Sequence, residues 1–336
     1  MCERMDRSGT EDVGTPSSVR YATGRGAGED GLRTPLCYTL RMHIPEIVRT
    51  KAQVAGVAGW LDTVPELAER LAAEWAFNVG EVLEGGTESV VIAVTRSDGD
   101  PAVLKLIVPR NAAARNEITA LRIANGRGCA RLLAADEAHS ALLLERLGPP
   151  LFELGLPLLR RHEVLAATAR RVWRPAPESG LPTGAQKGRW LIDFIEAKWE
   201  HLDRPCSERA AAYAIECAER RIAAHDDERA VLVHGDVHEW NTLEAGDGFK
   251  LIDPDGLLAE AEYDMGIIMR EDPVELLQGD PRERAHRLAR LTDLDPIAIW
   301  EWGVVERVST GLLCTEIDLQ PVGRQMLNTA DAVSRR

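Results

Sequence analysis

Three polar residues stand at the ends of short apolar runs between Val231 and Asp255, in the stretch VLVHGDVHEWNTLEAGDGFKLIDPD. Asp236 follows the run Val231-Leu232-Val233, Asn241 comes after four intervening residues, and Asp253 closes the run Phe249 to Ile252. An acid that takes a hydroxyl proton, together with an amide oxygen and a carboxylate at metal-binding distance, is a set suited to moving a phosphoryl group. Magnesium is a hard cation that takes oxygen ligands, usually one or two carboxylates plus phosphates and waters. The acid orients the attacking hydroxyl while the metal neutralises developing charge. The protein-kinase arrangement is Asp-x-x-x-x-Asn followed by Asp-Phe-Gly; here it is Asp236-x-x-x-x-Asn241 followed by Asp253-Pro254-Asp255.

The elements that must position these groups follow from pattern. Asp247-Gly248 between two apolar runs is a strong hairpin signal. It predicts strands over Thr242–Glu244 and Phe249–Ile252, which would bring Asn241 and Asp253 together. Upstream, Phe77 to Val108 alternates as three strands. Lys105 stands mid-strand in Val103-Leu104-Lys105-Leu106-Ile107, where a lysine needs a partner. Glu117, in a helix predicted from Asn111 to Asn125, is the natural counter-ion. Gly85, Gly86 and Thr87 form the turn between the first two strands, where glycines let backbone amides approach phosphates; an ordinary hairpin turn is the alternative. Further strands, Arg131–Ala135 and Ala141–Leu144, lead into Glu145-Arg146-Leu147-Gly148, a connector whose backbone at Glu145 and Leu147 would meet an adenine ring. No GxxxxGK[ST] segment is present, which excludes a Walker-type loop.

The motif His234-Gly235-Asp236-x-x-x-x-Asn241, then Ile252-Asp253-Pro254-Asp255, then Glu262-Tyr263-Asp264, resembles the aminoglycoside phosphotransferase family. Its streptomycin 6-phosphotransferase and hydroxyurea phosphotransferase group looks closest, over Phe77 to the C-terminus. The resemblance implies an α+β, bilobal protein-kinase-like fold, with an antiparallel N-lobe and a mainly helical C-lobe. It implies transfer of the ATP γ-phosphoryl group to a small-molecule hydroxyl. Asp236 would be the catalytic base, Asn241, Asp253 and Asp255 would hold or brace Mg2+, and Lys105 paired with Glu117 would contact the phosphates. Asp264 would brace the catalytic loop and His234 would be structural. An aminoglycoside of the streptomycin type is the preferred acceptor, with antibiotic resistance as the outcome. Hydroxyurea, or a metabolite such as a sugar, choline or an amino-acid alcohol, is the alternative, and a nucleotide-binding pseudokinase is another. A protein kinase fits poorly: no Asp-Phe-Gly or Ala-Pro-Glu occurs, and too few residues separate Asp255 from Asp264 for a peptide-docking loop.

Composition sets outer bounds. The chain has 336 residues, a formal net charge of −14 and 45% hydrophobic residues. Such acidity disfavours nucleic acid and suits a cationic small molecule. The six scattered cysteines form no CxxC pair, which fits reduced thiols in a cytoplasm. No apolar run is long enough to span a bilayer, and no protein partner is implied. Residues 1–41 read as a disordered tail or a mis-assigned start, with Met42 a natural beginning. Residues 42–148 are expected to form the N-terminal, nucleotide-binding lobe with leading helices over Pro45–Trp60 and Thr63–Trp75, the second opened by a Thr63/Glu66 capping box. Residues 149–336 are expected to form the C-terminal lobe with the catalytic loop and the substrate site. Its helices are predicted over Leu158–Trp173, Trp190–Leu202, Ser207–His225, Ile297–Leu313 and Gln320–Ala332. Trp190, Phe194 and Trp199 are expected in the core. Glu260, Glu262, Glu271, Glu316 and Asp318 are expected either to face a cationic substrate or to be solvated.

Overall fold

Alternation of apolar and polar residues after Phe77 produces an antiparallel sheet in the computed structural model, which describes residues 42–109, 113–246 and 248–335. Its strands are β1 (Phe77–Leu83), β2 (Ser89–Arg96), β3 (Pro101–Ile107), β4 (Leu132–Asp136) and β5 (Ala141–Glu145), in the order β1-β2-β3-β5-β4. β3 is therefore central, with Lys105 opposite Val91 on one side and Leu142 on the other. The expected tail over residues 1–41, the predicted helix start at Asn111 and the turn residue Asp247 lie outside the described residues. Helix α3 is described over Ala113–Ala124.

Two helices precede the sheet, α1 (Glu46–Val54) and α2 (Trp60–Trp75). Val48, Ala52, Val64, Leu67 and Leu71 bury against Ile92, Leu104 and Leu106 in one apolar cluster. The predicted boundaries shift here. α1 ends at Val54, before Gly56 turns left-handed at φ 71°, and α2 opens at Trp60. Thr63 lies inside its first turn and its hydroxyl donates to the Trp60 carbonyl at 2.7 Å, so the Thr63/Glu66 capping box does not form. Trp60 and Leu61 pack on the cluster, and that burial draws the helix start upstream of the capping signal.

The rest of the chain is mostly helical: α4 (Leu158–Arg170), α5 (Gly184–His201), α6 (Glu208–Ala223), α7 (Glu262–Arg270), the single turn α8 (Pro273–Leu276), α9 (Pro281–Thr292), α10 (Pro296–Glu316) and α11 (Val322–Val333). Caps set several starts. Thr183 and Gln186 form a reciprocal capping box that begins α5 six residues ahead of the predicted Trp190. Ser207 caps α6, and Asp280 and Asp295 cap α9 and α10 with proline in the first turn. α9 was legible from that Asp280-Pro281 pair but formed no part of the sequence expectation. Helix α10 is buried along most of its length, including Trp302 and Arg307.

Four short strands carry the catalytic segment: β6 (Val231–Val233), β7 (Thr242–Ala245), β8 (Gly248–Leu251) and β9 (Leu257–Ala259). β7 and β8 pair antiparallel with Thr242 opposite Leu251, and β6 pairs antiparallel with β9. The hairpin expectation and the predicted strand before His234 are both met.

Candidate active site

The loop after β6 is held by buried donors and acceptors. The Asp264 carboxylate accepts from the backbone N–H of His234 at 3.1 Å and of Gly235 at 2.8 Å, and from Trp173 Nε1 at 2.8 Å. Asp264 is fully buried, and burial pushes its pKa up against these donors. The bracing role implied for Asp264 is thus matched by its contacts. His234 is also fully buried, and burial lowers its pKa, so the ring is neutral near pH 7. Its Nε2 sits 2.9 Å from the Ile252 carbonyl, which can only accept. Nε2 therefore carries the proton, and Nδ1 accepts from the Asp236 N–H at 3.2 Å. One imidazole thus ties the end of the hairpin to the backbone of Asp236. Gly235 is required at its place: it has φ 89°, and a Cβ there would lie 2.8 Å from Asp255 Cβ.

Both oxygens of Asp236 are engaged. Oδ1 accepts from Arg270 Nη2 at 3.0 Å. Oδ2 accepts from His238 Nε2 at 3.1 Å and from Asn241 Nδ2 at 3.2 Å. His238 Nδ1 accepts from the Trp240 N–H at 3.2 Å, which leaves Nε2 as the donor toward Asp236. Both imidazoles flanking Asp236 have their ring nitrogens committed, to the loop itself and to the end of the hairpin. Burial opposes ionisation of Asp236, but His238 and Arg270 hold its carboxyl well below the usual carboxylate range.

The hairpin brings the other oxygen donors to the same place. The Ile252 N–H donates to the Asn241 carbonyl at 2.9 Å, which sets Asp253 beside Asn241. Asn241 Nδ2 also donates to the Asp236 carbonyl at 3.2 Å, so the Asn241 side-chain oxygen points away from Asp236. Asp253 adopts φ 60°. Its Oδ1 lies 2.9 Å from Lys105 Nζ, a contact between residues 148 positions apart. Lys105 Nζ also meets both Glu117 oxygens, at 2.7 and 2.8 Å. Lys105 and Glu117 are only 7% and 6% exposed, so the pair is dry, whereas the Asp253 side chain is 46% exposed. Burial works against the Lys105 charge, but Asp253 and Glu117 outweigh it and hold the ammonium pKa above its usual value. Burial raises the Glu117 carboxyl, with Lys105 opposing.

Asp255 is placed differently from Asp253. Its Oδ2 pairs with Lys187 Nζ of α5 at 3.3 Å. The turn between β1 and β2 holds Gly85 at φ 102°, and Gly86 lies so close to the Ser89 carbonyl that a Cβ would approach it to 2.5 Å. Thr87 is half-buried in the same turn. At the connector, the Glu145 N–H donates to the Arg131 carbonyl at 3.0 Å. Its side chain accepts from the Arg131 N–H at 2.6 Å and pairs with Lys250 of β8. A shallow groove of about 350 Å3 lies against Glu145, Leu147, Gly148 and Lys250. Gly148 donates to the Glu244 carbonyl at 2.9 Å, fastening the connector to the hairpin.

Arg270, Lys187 and Glu306 escaped the sequence reading. Arg270 ends α7, is 5% exposed, and also meets Glu271 at 2.9 Å and Glu306 at 3.5 Å. Glu306 in turn accepts from the Tyr263 hydroxyl. No spacing rule links residues so far apart in sequence; an arginine closing the apolar run that follows Tyr263-Asp264 was the available signal. The acids left open resolve into structural partners: Glu260 accepts from Trp302 Nε1 at 2.6 Å, Glu262 accepts from the Asp295 N–H at 3.2 Å, Glu271 pairs with Arg270, and Glu316 pairs with Lys198. Asp318 is exposed. Trp199 is half-buried and donates to the Cys206 carbonyl at 2.9 Å. Trp190 departs from its expected core place: it is 54% exposed, because its stripe of α5 faces away from β9 and α6.

Among the described residues no helix is long and apolar enough to cross a membrane. Among the described residues, Cys129, Cys206, Cys217 and Cys314 are buried and none is in a disulfide.

Residues 74–314 match the family of aminoglycoside/hydroxyurea antibiotic resistance kinases. A streptomycin 6-kinase of Streptomyces glaucescens is 30% identical over 78% of this chain and 88% of its own length. A hydroxyurea phosphotransferase of Kitasatospora aureofaciens is 31% identical over 66% of this chain and 65% of its own length. Among solved structures, a choline kinase from Cryptosporidium parvum superposes with a TM-score of 0.56 at 12% identity, covering 80% of this chain and 95% of that one. That likeness, with the antiparallel sheet and the helical remainder, is the protein-kinase-like fold expected from the motifs.

Proposed function

This chain belongs to the aminoglycoside/hydroxyurea antibiotic resistance kinases, and on that premise we propose that it transfers the γ-phosphoryl group of ATP to a hydroxyl of a streptomycin-type aminoglycoside. The enzyme is a small-molecule kinase. The observation that carries the site assignment is the contact of Lys105 with both Glu117 and Asp253. It joins the sheet to the catalytic hairpin across the place where a nucleotide would lie.

Asp236 orients the acceptor hydroxyl and takes its proton as the oxygen attacks the γ-phosphorus; the bond to the β-phosphate oxygen breaks and ADP leaves. With Arg270 and His238 on its two oxygens, the carboxylate is ionised and fixed in direction. Lys105 binds the α- and β-phosphates, held in place by Glu117. The turn of Gly85, Gly86 and Thr87 covers the phosphates with backbone N–H groups, and the connector backbone at Glu145 and Leu147 receives the adenine. The Glu145 N–H is committed to Arg131, so its carbonyl would be the group that meets the adenine.

The donor set fits a hard divalent cation. The Asn241 amide oxygen and the second oxygen of Asp253 make no hydrogen bond among the described residues, the Ile252–Asn241 backbone bond draws the two residues together, and nucleotide phosphates and water would supply the remaining ligands. Mg2+ held by Asn241 and Asp253 would neutralise phosphate charge, and Asp255, paired with Lys187, braces the end of the hairpin. The same residues would serve hydroxyurea, the acceptor named for one relative. ADP release measured with streptomycin, hydroxyurea and choline as acceptors tests the assignment. Streptomycin-dependent release supports it, and release with hydroxyurea alone replaces the acceptor.

A further inference from the structure

Arg307 lies in the middle of α10 and is fully buried, yet among the described residues its Nε and Nη1 meet no acceptor. The charges that bear on it are mostly of its own sign. Burial first, then Arg284 of α9, pull its pKa down to about 9; Glu271 opposes the fall and Arg270 of α7 adds to it. A guanidinium buried in such company costs the fold stability. What it does hold is the Met269 carbonyl, to which its Nη2 donates. Met269 stands one residue before Arg270 in the last turn of α7, where carbonyls lack an intrahelical donor. Beyond Arg270, Arg284 donates from Nη1 to the Glu271 carbonyl and from Nη2 to the Asp272 carbonyl at 3.1 Å. Two guanidiniums thus pin the backbone on either side of Arg270, at a helix end that favours cations.

The Arg270 side chain leaves this clamp to meet Asp236 Oδ1 at 3.0 Å. It is shared with Glu271 and with Glu306, the neighbour of Arg307 on α10. Helices α7 and α10 are locked together at short range. A Cβ on Gly266 would stand 2.3 Å from Trp302 Cβ, and one on Gly303 would stand 2.5 Å from Met269 Cγ. Gly303 is one turn before Arg307, so this close approach sets the register at which the guanidinium meets the Met269 carbonyl.

On the phosphotransferase reading above, we propose that Arg307 is a positioning residue: it holds the Met269 carbonyl, and through it the end of α7, so that Arg270 reaches Asp236. Arg307 makes no hydrogen bond to Asp236, Asn241, Asp253 or Lys105 among the described residues, so its effect on the reaction runs through Arg270. The aim of a long side chain depends on where its backbone is held, and a misplacement of about 1 Å at a reacting group can cost roughly a hundredfold in rate. An arginine that only filled space would be matched or bettered by an apolar side chain of similar volume. Replacing Arg307 by Met therefore separates the two roles, because it removes the buried charge and frees the helix end together.

Turnover and Tm of Arg307→Met, Arg270→Met and the double variant, with ATP, Mg2+ and streptomycin, or hydroxyurea should that be the acceptor turned over, test the role. Arg307→Met is expected to hold or raise Tm while lowering kcat about tenfold, with the KM for ATP unmoved. In the Arg270→Met background the same substitution is expected to lower kcat no further. Arg307→Lys, whose ammonium still donates to a carbonyl, is expected to recover most of the lost turnover. Should Arg307→Met not fold, Arg307→Gln, uncharged and shorter than arginine, takes its place with the same expected kcat. An unchanged kcat overturns the role, as does a double-variant loss equal to the product of the two single losses. A marked fall in Tm with a raised KM for ATP makes Arg307 a structural support and overturns it as well. Absence of turnover by the wild type with either acceptor defeats the reaction assignment itself, and the role of Arg307 with it.

Discussion

The two flanks of the catalytic centre are built on opposite physical plans. On the sheet side, Lys105 and Glu117 are buried and meet at 2.7 Å, so the charge that would grip phosphates is set in place by a dry ion pair. On the helical side, Trp190 is 54% exposed, three residues along α5 from Lys187, and Asp255 pairs with Lys187 at a looser 3.3 Å. A common cosubstrate calls for a rigid, preorganised grip, because positioning and electrostatics supply most of the catalysis of phosphoryl transfer.

Six substitutions sharpen or break this contrast. The largest effect is expected at the junction of the two flanks. Asp236→Asn should lower kcat about 10²–10⁴-fold, the usual range for a positioned proton acceptor, with ATP binding retained. Full activity in that variant would remove Asp236 from its role.

Next comes the sheet flank. Lys105→Met leaves Glu117 buried without its cation, a loss of about 3–5 kcal/mol of folding stability together with loss of ATP affinity. A following Glu117→Gln should recover part of the Tm but none of the ATP binding. If the single variant keeps its Tm, the dry pair is not the anchor described above.

On the helical flank, Arg270→Met should leave the ATP KM unchanged while lowering kcat roughly tenfold to a hundredfold. It should also displace the acid limb of kcat/KM. The sign follows from Asp236, whose carboxyl is held below its ordinary value in the folded enzyme. That stabilisation is present above the ordinary carboxylate pKa and is lost as pH falls through the lowered one. Removing Arg270 raises the folded value, so the limb should move to higher pH. Arg270→Lys should restore part of the shift. An unmoved limb across pH 4–7 would show that Arg270 does not act on Asp236.

The smallest effect belongs to the Lys250–Glu145 pair behind the connector, whose side chains are 18% and 22% exposed. Lys250→Met is expected to cost about 1 kcal/mol or less, seen as a slight drop in Tm at unchanged kcat. A large fall in ATP affinity would instead place Glu145 in direct control of the adenine site.

Legibility from sequence divides along the same line. The hairpin that joins Asn241 to Asp253 was readable because strand alternation and an Asp-Gly turn are local, and register follows from the turn. The place of Lys105 was readable because a lysine inside an apolar strand demands a partner, and a glutamate follows on the next helix. The start of α2 was misplaced because the capping signal at Thr63 competed with burial of Trp60 and Leu61, and burial prevailed. Trp190 was misplaced because an aromatic at helical spacing reads the same whether its face turns inward or outward. Arg270 was missed because its partners Asp236 and Glu306 lie 34 and 36 positions away on different elements.

By itself, then, the sequence determined the chemistry on offer: an acid, an amide and a second acid at the spacing of one loop and one hairpin, and a lysine needing a counter-ion. These depend on interactions between near neighbours, which short-range geometry fixes. Only the tertiary structure decided which cations share the catalytic acid and which face of α5 lies open beside it. That outcome depends on how α5, α7 and α10 pack through their buried faces, and packing of distant segments leaves no periodic trace in the chain.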